Sequence, residues 1–243
     1  MKSGKMGLWE AVSMAVGTMI GASIFSVFGV GAEIARENLP WAFLLSGVYA
    51  LAVAYSYALL GTKIVSNAGA IAFILEGIGD GLVTGALSLL MWLTYVVSIG
   101  LFAKGFAGYL LPLLGVESTA LNLAIVEIAV VLAFMGLNFF GSKVVGKAEK
   151  YIVLVKVCIL GLFVAAGMLS INVAYVRPAL DAEHAGGLLH ASVIFFLSYM
   201  GFGLIANASE NIDNPSRTVP RAIFVSVGIV MFTNRVGMVG MIP

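Results

Sequence analysis

The chain has 243 residues, 61% of them hydrophobic and 10% charged, with a mean hydropathy of +1.07, far too apolar for a soluble domain of ordinary composition. A formal net charge of +1 offers no basic surface for nucleic acid, and the single Cys158, set in an apolar run, excludes an intrachain disulfide and argues against a cysteine metal site. What remains is a polytopic membrane protein.

A bilayer core of about 30 Å needs about 20 apolar residues in a helix. Runs near residues 8–34, 40–62, 81–112, 119–140, 150–174, 188–209 and 219–240 therefore predict seven spans. The first run is longer than a signal-peptide core and lacks a small-residue cleavage site, so it reads as a retained span. Basic residues of short loops stay on the cytoplasmic side. With the N-terminus inside, Lys2, Lys5, Lys63, Lys143, Lys147, Lys150, Arg217 and Arg221 fall inside, against Arg36 and Arg177 outside. Lys104, Lys156 and Arg235 lie within spans. The longest external loop, residues 172–187 with Pro178, Asp181, Glu183 and His184, is expected to form a partly ordered cap.

Two of the spans carry glycines at mid-depth. "GTMIGASIF", residues 17–25, interrupts the first, and Gly201 and Gly203 in "FFLSYMGFGLIANASE", residues 195–210, interrupt the sixth. In hydrocarbon, a helix breaks only where it lines a cavity or is packed in protein. Two interrupted helices suit a transporter site at the midplane. Half-helix amides hold a carboxylate and half-helix carbonyls accept from an ammonium, so a zwitterionic amino acid matches both. The pattern Gly17-xxx-Gly21 is also a close-packing motif, and the residues by themselves leave both readings open.

Longer stretches are more specific. "LWEAVSMAVGTMIGASIFSVFGVGA", "LAVAYSYALLG", "LFAKGFAGYLLPL", "LNFFGSKVVGKAE", "YIVLVKVCILGLF" and "FFLSYMGFGLIANASENIDNPSRTVPRAI" together resemble the archaeal proton-coupled, broad-specificity amino-acid transporters of the amino acid, polyamine and organocation superfamily. The resemblance covers residues 8 to about 233. It implies an all-α polytopic membrane protein, the N-terminal part of a LeuT-type inverted-repeat fold whose helices 1 and 6 are discontinuous. The chain would form a single, incomplete transmembrane domain over residues 1–243, with the first repeat at about 8–174 and the first two helices of the second at about 188–240.

Carried over by position, the resemblance implies that amides around Ala22, Ser23 and Ile24 receive the substrate carboxylate and that carbonyls of Met19, Leu197 and Met200 receive the amino group. Thr18, Phe196, Tyr199 and Phe202 would border the site, with a contribution around Tyr95, and Phe202 would act as a gate. These anchors select an α-amino acid as the small-molecule partner without naming its side chain.

Lys156 lies within the fifth span, where an ionisable group is a functional hypothesis by default. It is only six residues beyond Lys150, so its stem could also reach the headgroups. The resemblance favours the first alternative: "LVKVCILG" matches the lysine that, in the proton-coupled branch, occupies the place where relatives hold sodium. Its ammonium would bond near Gly17, stand in for a cation and release the first helix on losing its proton. No cofactor is implied beyond protons as the coupling ion. Glu210, Asp213 and Arg217 are expected to form a cytoplasmic cap or gate network, and Glu10 to be interfacial.

No nucleophile-elbow, zinc or phosphate-loop spacing supports an enzyme, and the expected location is the cell membrane, multi-pass, with a cytoplasmic N-terminus. The family pattern implies about twelve helices whereas this sequence stops during or just after the seventh, and Arg235 in "TNRVGMVGMIP" departs from it. The expectation is a truncated or frameshifted transporter, half of a split one completed by a second chain, or an inactive remnant or interaction partner of an intact relative. A further alternative is an exchanger without proton coupling.

Overall fold

A computed structural model of the chain describes residues 5–22, 27–139, 151–153, 155–156, 158–159, 161–162, 165, 179 and 182–239; for Ala22, residues 182–183 and residues 234–239 it describes the backbone only. The described elements are α1 (Leu8–Ala22), α2 (Phe28–Ala35), α3 (Leu39–Lys63), α4 (Ala70–Ile78), α5 (Leu82–Leu113), α6 (Ala120–Phe139), α7 (Ala182–Tyr199), α8 (Gly203–Asn207) and α9 (Pro215–Val239). Short 3-10 turns sit at Arg36–Asn38, Met200–Phe202 and Ser209–Asn211. The chain divides into two compact units, residues 1–79 with 156–243 and residues 80–155.

Four described helical stretches are long and apolar enough to cross a bilayer: residues 28–63, 82–113, 120–139 and 184–207. The runs at 81–112, 119–140 and 188–209 correspond to α5, α6 and α7–α8, and the run at 219–240 to α9. Within the first run, α1 covers Leu8–Ala22 and α2 covers Phe28–Ala35, and residues 23–26 lie outside the described residues. Length alone would read residues 28–63 as one helix. Arg36, at φ 49°, turns the chain there, and Pro40 starts α3, where its missing amide costs nothing. The short α4 was not expected from the hydrophobic runs. Lys2, Lys143, Lys147, Lys150, Arg177, Pro178 and Asp181, and the side chains of Glu183 and Arg235, lie outside the described residues.

In the first unit, α3 packs extensively on α9 and on α7, and α1 lies on α9. The reason is in the side chains of α3. Ala42, Ser46, Ala50, Ala54 and Ala58, a four-residue repeat of small groups, are all buried, together with Gly47 and Gly61. Small residues let membrane helices approach closely. A Cβ at Gly61 would lie 2.9 Å from Val219 Cγ1 and one at Gly47 2.9 Å from Met231 Cγ, so α9 runs antiparallel to α3. On α9 the buried residues Val219, Ala222, Ile223, Ser226, Val227 and Val230 follow the three-and-four spacing of one helical face.

In the second unit, α5 packs on α6. The latter has no buried residue, and an apolar helix exposed all round needs lipid or protein around it.

Candidate functional site

The two interrupted spans meet. The sixth changes from α-helix to a 3-10 turn at Met200–Phe202 and then to the short α8. Gly201 in that turn lies flat against α1: a Cβ there would be 2.8 Å from Met19 Cγ, 3.0 Å from Met19 N and 3.0 Å from the Ala15 carbonyl oxygen. Glycine is required by this approach, not by φ. The contact brings Met19, which is fully buried, beside Met200 and Phe202.

The break in the sixth span is a tightening, not an extended gap. The Gly203 N–H donates to the carbonyls of Met200 and Gly201. The side chains of Leu197 and Met200 are 42% and 47% exposed, so any role for these residues in the core of the unit is through their backbone. In the first span, Ala22 is the last residue of α1, while Ser23 and Ile24 lie outside the described residues. Gly17 is buried on α1, and the Thr18 hydroxyl donates to the Met14 carbonyl at 3.0 Å, a back-bond that occupies its proton.

Phe202 is only 3% exposed. Its ring stands edge-on to Tyr57 of α3 at 5.3 Å between centroids, and Tyr57 stands edge-on to Phe73 of α4 at 5.7 Å. Sequence inspection missed Tyr57 and Phe73, because an aromatic in an apolar run carries no sign of its partner. Tyr199, expected to border the site, is fully buried, and its hydroxyl donates to the Phe43 carbonyl at 3.2 Å. Phe195 stacks on Phe43 at 3.7 Å, and a Cβ at Gly31 would overlap the Phe195 ring. These aromatics tie α7 to α2 and α3. Phe196 is half-buried, and Tyr95 belongs to the second unit, 50% exposed on α5.

Lys156 is half-buried, and its ammonium lies against α1. A Cβ at Gly21 would fall 2.8 Å from Lys156 Nζ and 3.9 Å from Cε. The contact is one turn beyond Gly17, in the last turn of α1, where the negative end of a helix dipole and its terminal carbonyls favour a cation.

Polar groups close both ends of the first unit. At one end, Gly7 N–H donates to Glu10 Oε2 at 2.9 Å, half of a capping box at the start of α1. Met6 pairs with the chain beyond α8 through Met6 N–H to the Asn211 carbonyl at 2.8 Å and Asp213 N–H to the Met6 carbonyl at 2.9 Å. Ser66 and Asn67 bond Ser209 and Glu210 at the same end. At the other end, the fully buried Asn38 donates to the carbonyls of Ala179 at 2.8 Å and His184 at 3.2 Å and accepts from Ala179 N–H at 2.9 Å. This amide ties Ala179 and His184, from the segment expected to form an external cap, to the turn before α3.

The profile of the amino acid permease family matches residues 6–242. The chain belongs to the amino acid permease family. It is 64% identical over 232 residues to the protein MJ0609 of Methanocaldococcus jannaschii, covering 96% of this chain and 53% of that one. It is 35% identical over 226 residues to the inner membrane transport protein YbaT of Escherichia coli, covering 92% and 52%. With the branched-chain amino acid permease BcaP of Bacillus subtilis it shares 22% over 258 residues, 98% of this chain and 55% of that permease. This permease-family chain thus spans about half the length of the relatives it matches, and it is an all-α membrane protein with several spans.

Proposed function

We propose that the chain serves proton-coupled symport of amino acids across the cell membrane by alternating access. The observation that carries the proposal is the Lys156 ammonium lying against Gly21 in the last turn of α1. A lysine that merely snorkelled would present its nitrogen to the headgroups. Here the nitrogen lies on the same helix whose Ala15 and Met19 meet Gly201 of the sixth span, which supports the coupling reading.

The substrate cradle in this reading is made of backbone. Amides around Ala22, Ser23 and Ile24 receive the carboxylate, and carbonyls of Met19, Leu197 and Met200 receive the amino group; Gly201 against Met19 holds the two sets together. Every α-amino acid satisfies such anchors. Phe202 closes the site, braced by Tyr57. Protonated Lys156 holds α1 by its terminal carbonyls as a bound cation would. In this reading the group passes its proton to the inside, and α1 is released. The end bearing Met6, Lys63 and Arg217 faces the cytoplasm, as the distribution of basic residues requires. The bare faces of α5 and α6 are covered by lipid and by a further transporter segment, which a second chain can supply.

The test is uptake of labelled amino acids into proteoliposomes, with and without an inward proton gradient. Gradient-driven uptake that disappears in Lys156→Ala while the thermal unfolding profile is kept is the expected result. Equal uptake with and without the gradient refutes the coupling and leaves an exchanger; absence of uptake in both refutes transport by this polypeptide.

A further inference from the structure

We infer that residues 66–69, between α3 and α4, and residues 207–210, at the end of the sixth span, form a clasp that stays shut while the rest of the site moves. The two segments are 143 positions apart in sequence and exchange five hydrogen bonds. Ser66 N–H donates to Ser209 Oγ at 3.0 Å, and the same hydroxyl donates back to the Ser66 carbonyl at 3.1 Å. Asn67 donates from its backbone N–H to Glu210 Oε1 at 3.0 Å and from Nδ2 to Oε2 at 3.2 Å, and Glu210 N–H donates to Asn67 Oδ1 at 3.3 Å. Each side chain therefore answers the other segment's backbone, as in a two-sided cap.

Three features keep the clasp closed. Ser209 is 1% exposed, so water does not replace its bonds to Ser66. Opening would strip both bonds from the buried Ser209 hydroxyl and the partner from Ser66 N–H, while the Ser66 carbonyl keeps the bond from Gly69 N–H at 3.0 Å, and a buried polar group left without a partner costs more than a made bond contributes. Gly69, at φ 54°, completes the fit: any Cβ there would overlap the Asn207 side-chain oxygen. The backbone tie between Met6 and residues 211–213 has two bonds and no side-chain reciprocity. The clasp thus joins α4 and α8 into one body, and with them Phe73, Tyr57 and Phe202, whose rings run between the same elements.

That the clasp stays shut during transport rests on the proposed function; that it forms does not. The experiment has two arms. In a Cys158→Ser background, the pair Asn67→Cys and Glu210→Cys is oxidised in proteoliposomes. Uptake within two-fold of the reduced protein is expected, and a ten-fold loss that recovers on reduction overturns the inference. In the second arm, Asn67→Asp sets carboxylate against carboxylate, and tryptic cleavage after the exposed Lys63 is expected to accelerate several-fold. Adding Glu210→Gln, whose amide donates to Asp at 67, restores the resistance. Cleavage that Asn67→Asp does not accelerate, or that the second change does not slow, overturns the clasp. If the reduced protein shows no uptake, the transport reading fails and the proteolysis arm alone decides.

Discussion

Replacing Gly21 by Ala separates the role of Lys156 in coupling from any role in holding the fold. The new methyl would stand 2.8 Å from Lys156 Nζ, whereas unstrained contacts between heavy atoms of this kind lie at about 3.5–4.0 Å. The ammonium must therefore withdraw by about 1 Å. It sits at the end of a flexible four-carbon stem, and a side chain moved off its preferred rotamer costs about 0.5–1.5 kcal/mol, so folding is only slightly affected. In the proposed coupling, the ammonium bonded to a carbonyl of α1 would contribute about 1.5–3 kcal/mol, and its loss corresponds to roughly a 10- to 150-fold fall in proton-driven relative to gradient-independent uptake. Proteoliposome uptake at fixed amino acid, with and without the gradient, reads that ratio, and thermal unfolding in detergent reads the fold. Gly21→Ala with undiminished gradient dependence refutes the contact as the coupling device; a large loss of stability refutes the claim that the ammonium yields easily.

Gly201→Ala gives the opposite balance. Its neighbours are Met19 Cγ and the backbone of Ala15 and Met19, which cannot swing aside, so overpacking by about 1–3 kcal/mol is expected. Gly228→Ala, with nothing within 4 Å of its Cβ, is the control, and equal unfolding temperatures for the two would count against the close approach. Asn38→Ala removes three hydrogen bonds at a fully buried position and leaves Ala179 N–H without its acceptor, a cost of about 1–3 kcal/mol. Faster hydrogen exchange at Ala179 is the specific signature, and unchanged exchange there would show that the loop is held elsewhere. Tyr199→Phe deletes only the bond to the Phe43 carbonyl. A loss of about 0.5–1.5 kcal/mol is expected, with amino-acid affinity unaltered; a selective change in affinity would return Tyr199 to the binding site.

Most of the architecture is written in composition and periodicity. Spans such as α5 and α6 are apolar throughout because each of their faces meets lipid or another helix, and a window of about 20 residues detects that without any partner. Gly21 and Gly201 could also be singled out, since glycines at mid-depth break a local rule. Their meaning could not, because a close-packed glycine and a half-helix terminus look the same in one dimension. Only the folded chain sets Gly201 against Met19 and the Lys156 nitrogen against Gly21, contacts across 182 and 135 positions of sequence.

Tyr199 shows the limit from the other side. It stands one residue from the turn at Met200, and only the fold shows that its hydroxyl meets the Phe43 carbonyl. Tyr57, Phe73, Asn38 and Asn67 were silent in sequence because each acts through a partner far along the chain. Hydrophobic pattern fixes which segments enter the membrane, since transfer from water depends on each segment alone. Which polar atoms meet is decided by packing, where distances of about an ångström separate a bond from a clash.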